Sequence, residues 1–250
     1  MAGRERRSMM TGAQAAHCGS VSAISLGLPV STAIPEAKGT LPKALFVGKA
    51  PISGKLKQRL VNEIESITML ALARSANTGL ADGKLIPEVL VIGLKLTAKA
   101  TGIPNEVIDL IAGQRKSGIV FVCVRDVPFE GSTREECAFA VRRAIPGRAG
   151  HTPIYQVYAG DWQPAGEAQL DWPALLLDEL WASLCSQTIL GTPEVENLDA
   201  RIIRHTEIAR LESEVDKLTR DHQRVKNPAQ RNEIYAKLHR QAQLAKLREA

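Results

Sequence analysis

Pro87-Glu88-Val89-Leu90-Val91-Ile92-Gly93-Leu94-Lys95-Leu96 is the stretch on which the fold turns. It is apolar on both faces at first and then alternates. A strand buried on both faces belongs near the centre of a sheet that is covered on each side. Downstream, Pro104 suits a first helical turn, and Val107, Ile108, Ile111 and Ala112 give that helix a stripe. Gly118 separates it from Ile119-Val120-Phe121-Val122-Cys123-Val124, a second buried strand.

Working outward, Leu41-Pro42-Lys43 opens the ordered chain and a short apolar run, Ala44 to Val47, follows. Ser53 reads as a helix N-cap, because its hydroxyl can accept from a free amide two or three residues on. Leu56, Leu60, Ile64 and Ile67 then recur at helical spacing. Ile67 to Ala73 either prolongs that helix or turns into a strand; periodicity leaves both open. Asn77, Gly79, Asp82 and Gly83 mark a loop, and Pro128 with Gly131 a turn. Cys137, Phe139 and Val141 alternate with smaller or charged residues, as on a half-exposed strand. After a loop from Pro146 to Gly150, Ile154 to Tyr158 alternates too. The expected fold class is α+β or mixed α/β: a mixed sheet of about four to six strands with packed helices.

The tail is helical. Asp171-Trp172-Pro173 reads as a helix opening, and Leu176, Leu180, Leu184 and Ile189 supply the apolar side. Pro193 breaks the chain. Ile208, Leu211, Val215, Leu218, His222 and Val225 then follow at alternating spacings of three and four, an a/d seam bordered by charges of both signs. Asn227-Pro228-Ala229-Gln230 is a stop and restart, and a second helix carries Ile234, Leu238, Leu244 and Leu247. The reading is an antiparallel coiled-coil hairpin. So narrow a seam gains stability by packing on the domain, on its own copy or on another protein. The expected organisation is a disordered arm over residues 1–40, an α/β domain over 41–193 and the hairpin over 194–250.

The chain has 250 residues, a net charge of +5 and 4% aromatics. The basic excess is spread along it, and the densest basic spot is Arg142, Arg143 and Arg148. That spot is a solvated strand end or, in the alternative, a phosphate contact. Cys18, Cys123, Cys137 and Cys185 include no close pair, which argues against a zinc site; Cys123 and Cys137 lie in apolar runs and read as small buried hydrophobes. A reducing cytoplasm is the simplest setting. No apolar run is long enough for a membrane span. The arm, with Arg4, Arg6 and Arg7 ahead of a weakly apolar Val21 to Val30, imitates a signal peptide poorly, and Met9 or Met10 are alternative starts.

With these elements placed, the chain resembles the bacterial domain-of-unknown-function family 4391. The resemblance rests on Leu41-Pro42-Lys43, the helix after it, Pro87 to Val91, Ile119 to Val124 and the closing helical pair, and it covers residues 41–250. It implies genes beside adenine-type DNA methyltransferase and helicase genes of restriction or phage-defence character, and it carries no catalytic residues over.

The chain contains no dinucleotide, P-loop, zinc-protease or nucleophile-elbow motif. Among its histidines only His151 could serve the central domain, with Asp161, and no activated nucleophile lies near them. A restriction-endonuclease-like core would need carboxylates on a divalent ion and a lysine two residues after the last of them. Lys95 is preceded at that spacing by Gly93, which leaves Glu63 and Glu88 as an incomplete set. The leading expectation is a non-enzymatic accessory or adaptor subunit without metal or cofactor. It would bind a protein partner, a DNA methyltransferase or helicase subunit, through Ile208, Leu211, Val215, Leu218, Val225, Ile234 and Leu238. The alternatives are an intact or degenerate nuclease using Glu63, Glu88 and Lys95, and a DNA-binding module using Arg142, Arg143 and Arg148.

Overall fold

A computed structural model describes residues 14–48, 52–146 and 152–249. The fold is mixed α/β, built on a mixed sheet. In chain order the elements are β1 (His17–Cys18), β2 (Val21–Ser22), α1 (Glu36–Gly39), α2 (Ala44–Val47), α3 (Gly54–Glu63), β3 (Ile64–Ala73), α4 (Ser75–Thr78), β4 (Val89–Leu96), α5 (Asn105–Ala112), β5 (Gly118–Phe129), β6 (Ser132–Ala144), β7 (Tyr155–Ala159), β8 (Gln163–Pro164), α6 (Leu177–Leu190), α7 (Leu198–Arg224) and α8 (Pro228–Glu249). They fall into two compact units, one of residues up to 145 with 152–195 and one containing 196–250.

The first unit carries a six-stranded sheet in the order β3-β4-β5-β6-β7, with β8 also on β6. Only β4 and β5 are parallel, because α5 connects them as a crossover; the other pairings are antiparallel. β4 lies inside the sheet and is buried on both faces, as its uninterrupted apolar run requires. Leu90, Ile92, Leu94 and Leu96 point to one face, where α3 and α5 bury Leu60, Val107, Ile108 and Ile111 with them. On the other face Gly118 lies against the Trp181 ring of α6, and Gly93 against Cys18. Ser53 caps α3 by accepting from the Leu56 amide at 3.1 Å. Ile67 to Ala73 is strand, since antiparallel pairing with β4 overrides the helical spacing upstream. β5 and β6 turn tightly at Glu130 and Gly131, both at positive φ (48° and 78°), as a two-residue hairpin loop demands.

Three expectations are corrected. The described part of the expected arm is ordered: Ala16, Cys18, Val21, Ala23 and Leu26 are buried at 2% exposure or less. Small residues make this possible, letting β1, β2 and the following turns lie close against the sheet where a helix would not fit. The segment also borders β3, with Ile34 N–H donating to Leu70 O at 3.0 Å and Leu41 N–H to Ile67 O at 2.9 Å. Second, β6 is buried on both faces from Cys137 to Val141 and not half-exposed, because α5 packs on one side and α6 on the other. Third, α6 starts at Leu177, not at Asp171-Trp172-Pro173. Asp178 in its first turn instead accepts the amides of Lys84 (2.7 Å) and Ile86 (2.9 Å), tying down the loop before β4.

The second unit consists of α7 and α8, joined through Val225–Asn227, and the two helices contact each other. Asn227 accepts from the Ala229 amide at 2.9 Å, the restart that Asn-Pro signals. Among the described residues no helix is long and apolar enough to cross a membrane.

Candidate functional site

The residues that would have formed a nuclease centre are not brought together. Glu88 stands just before β4 and Lys95 near its far end, about 23 Å along an extended chain at roughly 3.3 Å per residue. Glu88 is held by Arg74 Nε at 2.7 Å and Ser117 Oγ at 2.8 Å. Burial raises its pKa, but these bonds and the Arg74 charge outweigh that and hold it below the usual range. Glu63 ends α3 and pairs with Arg59 at 2.8 Å, and Arg59 also reaches Glu106 on α5 at 3.0 Å. That group belongs to the helix-covered face, whereas Lys95 projects to the opposite one. The three side chains serve three separate ion-pair groups. Among the described residues, no cluster of three or more His, Cys, Asp or Glu side chains is placed to hold a metal ion.

Lys95 has partners of its own that the sequence reading missed. Its ammonium, only 13% exposed, donates to Glu135 at 2.8 Å and to Asp126 at 2.9 Å. Glu135 also accepts the Ser20 amide at 2.7 Å and the Ser20 hydroxyl. Burial raises the Glu135 pKa, yet the hydrogen bonds from Lys95 and Ser20 prevail and hold it below the ordinary carboxylate value. Burial likewise pulls Lys95 down while its two carboxylate partners more than restore it. The cluster clamps the turn between β1 and β2 onto the sheet. On the other face of the same hairpin Glu136, almost fully buried, accepts from Arg125 (2.8 Å) and Arg134. Those hydrogen bonds hold it below its usual range. The Arg125 guanidinium lies 3.8 Å over the Trp162 ring, and that of Arg134 lies 4.0 Å over Phe129. Counting back from the Glu130-Gly131 turn sets 126 opposite 135 and 125 opposite 136. That register was the available signal.

Of the basic spot, Arg142 is engaged by Asp109 at 2.5 Å and stacks on Tyr155 at 4.0 Å. Arg143 lies on β6, and Arg148 and His151 lie outside the described residues. A ready phosphate contact at Arg142 would first have to displace a carboxylate.

The remaining candidate is the helical pair. Along α7, Leu211 is buried at 2% exposure, while Ile208, Val215, Leu218 and His222, with Val225 just after the helix, are half-buried. On α8, Ile234 and Leu238 are half-buried and Tyr235 is 57% exposed. Gln241 donates to Glu214 at 3.2 Å, and Arg231 to His222 Nε2 at 3.4 Å, with the His222 and Tyr235 rings 5.9 Å apart. Arg210 braces the outside of α7 through Glu207 (2.9 Å) and Glu214 (3.2 Å). The side chains of Leu244 and Leu247 fall outside the described set. This arrangement offers a ribbon of incompletely covered apolar side chains edged with both signs of charge.

Neither a curated protein nor a solved structure matches the chain. One family model does, spanning residues 26–244, and its start ahead of Leu41 takes in part of the ordered N-terminal segment that covers the sheet. By that match over most of its length, the chain belongs to the family described as "Domain of unknown function (DUF4391)".

Proposed function

We propose that this chain is a non-enzymatic accessory or adaptor subunit, in which α7 and α8 form an antiparallel coiled-coil hairpin that binds a partner protein. The observation that carries the reading is the incomplete cover on the seam. Six of its seven assigned residues, namely Ile208, Val215, Leu218, Val225, Ile234 and Leu238, remain only half-buried in the folded chain. Completing the burial of such a half-buried apolar side chain contributes only a fraction of the roughly 1.5–3 kcal/mol that full burial from water gives, and interfaces are driven by a few such anchors. The sheet unit serves as a rigid body that presents the hairpin.

The partner class follows from the family resemblance: a DNA methyltransferase or helicase component of a restriction, modification or phage-defence assembly in the cytoplasm. That is a genomic association, and it proposes the partner by class. The test is co-expression with the neighbouring methyltransferase or helicase subunit. Leu211→Asp with Leu218→Asp should abolish co-purification while the tryptophan fluorescence of the sheet unit stays native. Leu218→Ser alone, which leaves Leu211 in place, should weaken it. Retention of the complex by all variants would refute the reading.

A further inference from the structure

Beneath α2, on the helix-covered face of the sheet, the first unit encloses a cavity of about 70 Å³. Its floor is Leu90, Ile92 and Ile119 of the two parallel strands, each buried at 2% exposure. Its roof is Leu45 and Phe46 of α2. Gln114, just beyond α5, donates to Phe46 O at 3.0 Å and so ties the roof to the wall. Among the described residues that line the cavity, Gln114 and Arg115 alone are polar. So apolar a lining gives water few partners and suits a hydrocarbon guest. The Arg115 side chain, 52% exposed, stands at the mouth. Its ion-pair partner, Oε1 of Glu88, is 4.0 Å away, beyond hydrogen-bond range. Glu88 is already engaged by Arg74 at 2.7 Å and Ser117 at 2.8 Å. Two arginines therefore face one carboxylate, which leaves a surplus positive charge beside an apolar opening.

We propose that this cavity binds a short aliphatic monocarboxylate, with the chain under α2 and the carboxylate on the Arg115 guanidinium. The fork of arginine donors matches a carboxylate in geometry and charge. The chain enters because it leaves water for the lining of leucine, isoleucine and phenylalanine. Volume sets its length. An apolar cavity of about 150 Å³ admits a benzene-sized guest. At about 70 Å³ this one encloses roughly three carbons, so a five-carbon acid fills it and still reaches the guanidinium. Acetate is too short to do both. No residue of α7 or α8 takes part, so the site is independent of the helical seam.

An NMR titration of the full chain with sodium pentanoate, sodium acetate and 1-pentanol tests this, beside Arg115→Gln and Leu45→Trp. Both substitutions fall on side chains about half-exposed, so the fold should persist, which urea unfolding checks. Pentanoate should bind one site with a Kd of roughly 1–10 mM. Acetate, lacking the chain, should bind at least about tenfold more weakly, and 1-pentanol, lacking the charge, at least about threefold more weakly. Arg115→Gln should bring pentanoate down to the level of 1-pentanol and leave 1-pentanol unchanged. Leu45→Trp, which fills the cavity from its roof, should weaken both. Failure of pentanoate to bind the wild type overturns the proposal. So does acetate binding as tightly as pentanoate, which would mean an anion on a surface arginine only, and so does pentanoate binding that either variant leaves unchanged.

Discussion

Gly93→Ala should destabilise the sheet unit through a collision that can be located. A Cβ placed on Gly93 lies 2.4 Å from the Cys18 Cβ and 2.9 Å from its sulfur. Carbon atoms pack at about 3.5–4.0 Å, so the new methyl demands a retreat of roughly 1 Å. Neither side yields easily. Gly93 is inside β4, paired to Thr68 on one flank and Val122 on the other. Cys18 is fixed by its pairing with Val21 and by the adjoining Ser20–Glu135 bonds. Overpacking of this kind costs about 1–3 kcal/mol. For a unit of this size that is a fall in Tm of roughly 3–10 °C. Trp162, Trp172 and Trp181 all lie in this unit, so urea unfolding followed by tryptophan fluorescence reports it directly. Cys18→Gly removes both colliding atoms. Combined with Gly93→Ala it should therefore cost less than the two single changes added together, by about 1 kcal/mol or more. If Gly93→Ala unfolds with wild-type stability, within about 0.5 kcal/mol, the N-terminal turn does not lie against β4 and the cover assigned to that face is wrong.

Two further outcomes follow from the packing of the sheet unit. Glu135→Gln should cost about 1–3 kcal/mol, since it leaves the little-exposed Lys95 with Asp126 as its sole charged partner. The folded-state pKa of Glu135 is lowered, so its stabilising effect is present above the ordinary carboxylate pKa and is lost as pH falls through the lowered value. The gap between wild type and Glu135→Gln in urea unfolding should accordingly close on acidification and persist at neutral pH. All four cysteines are free and buried, and burial pushes the Cys18 and Cys185 thiols up to about 12 and Cys137 to about 11. A thiol reagent at neutral pH should thus label the native chain only at the rate of its unfolding, and rapid labelling of any one thiol would contradict the packing.

The core was legible where one physical signal acted alone. β4 and the first half of β5 announce themselves by apolar runs that need cover on both faces, and α5 by a stripe that the structure buries residue for residue. The Ser53 and Asn227 caps were legible because capping is local chemistry. Reading failed where the deciding contact was distant in sequence. Residues 14–40 look like an arm because Ala, Ser and Gly have no periodicity. Those same small side chains are what allow close approach to Gly93 and Thr68, a fact visible only once the sheet exists. Ile67 to Ala73 followed helical spacing until β4 claimed it as a partner. The charged clusters around Lys95 and Glu136 depend on hairpin register, which composition does not carry. The candidate interface differs: its seam was visible as heptad spacing, and how much of it stays uncovered required the structure.

The most direct measurement is the co-purification ratio of a partner of the class proposed above, a DNA methyltransferase or helicase subunit, with the tagged full chain, wild type against Leu218→Asp plus Leu238→Asp. Both side chains are half-buried on the helical pair and remote from the sheet unit in sequence. The account predicts a stoichiometric complex for the wild type and loss of the partner from the variant, with the sheet unit's unfolding curve unchanged. Equal recovery of the partner with both chains, or none with either, would contradict it.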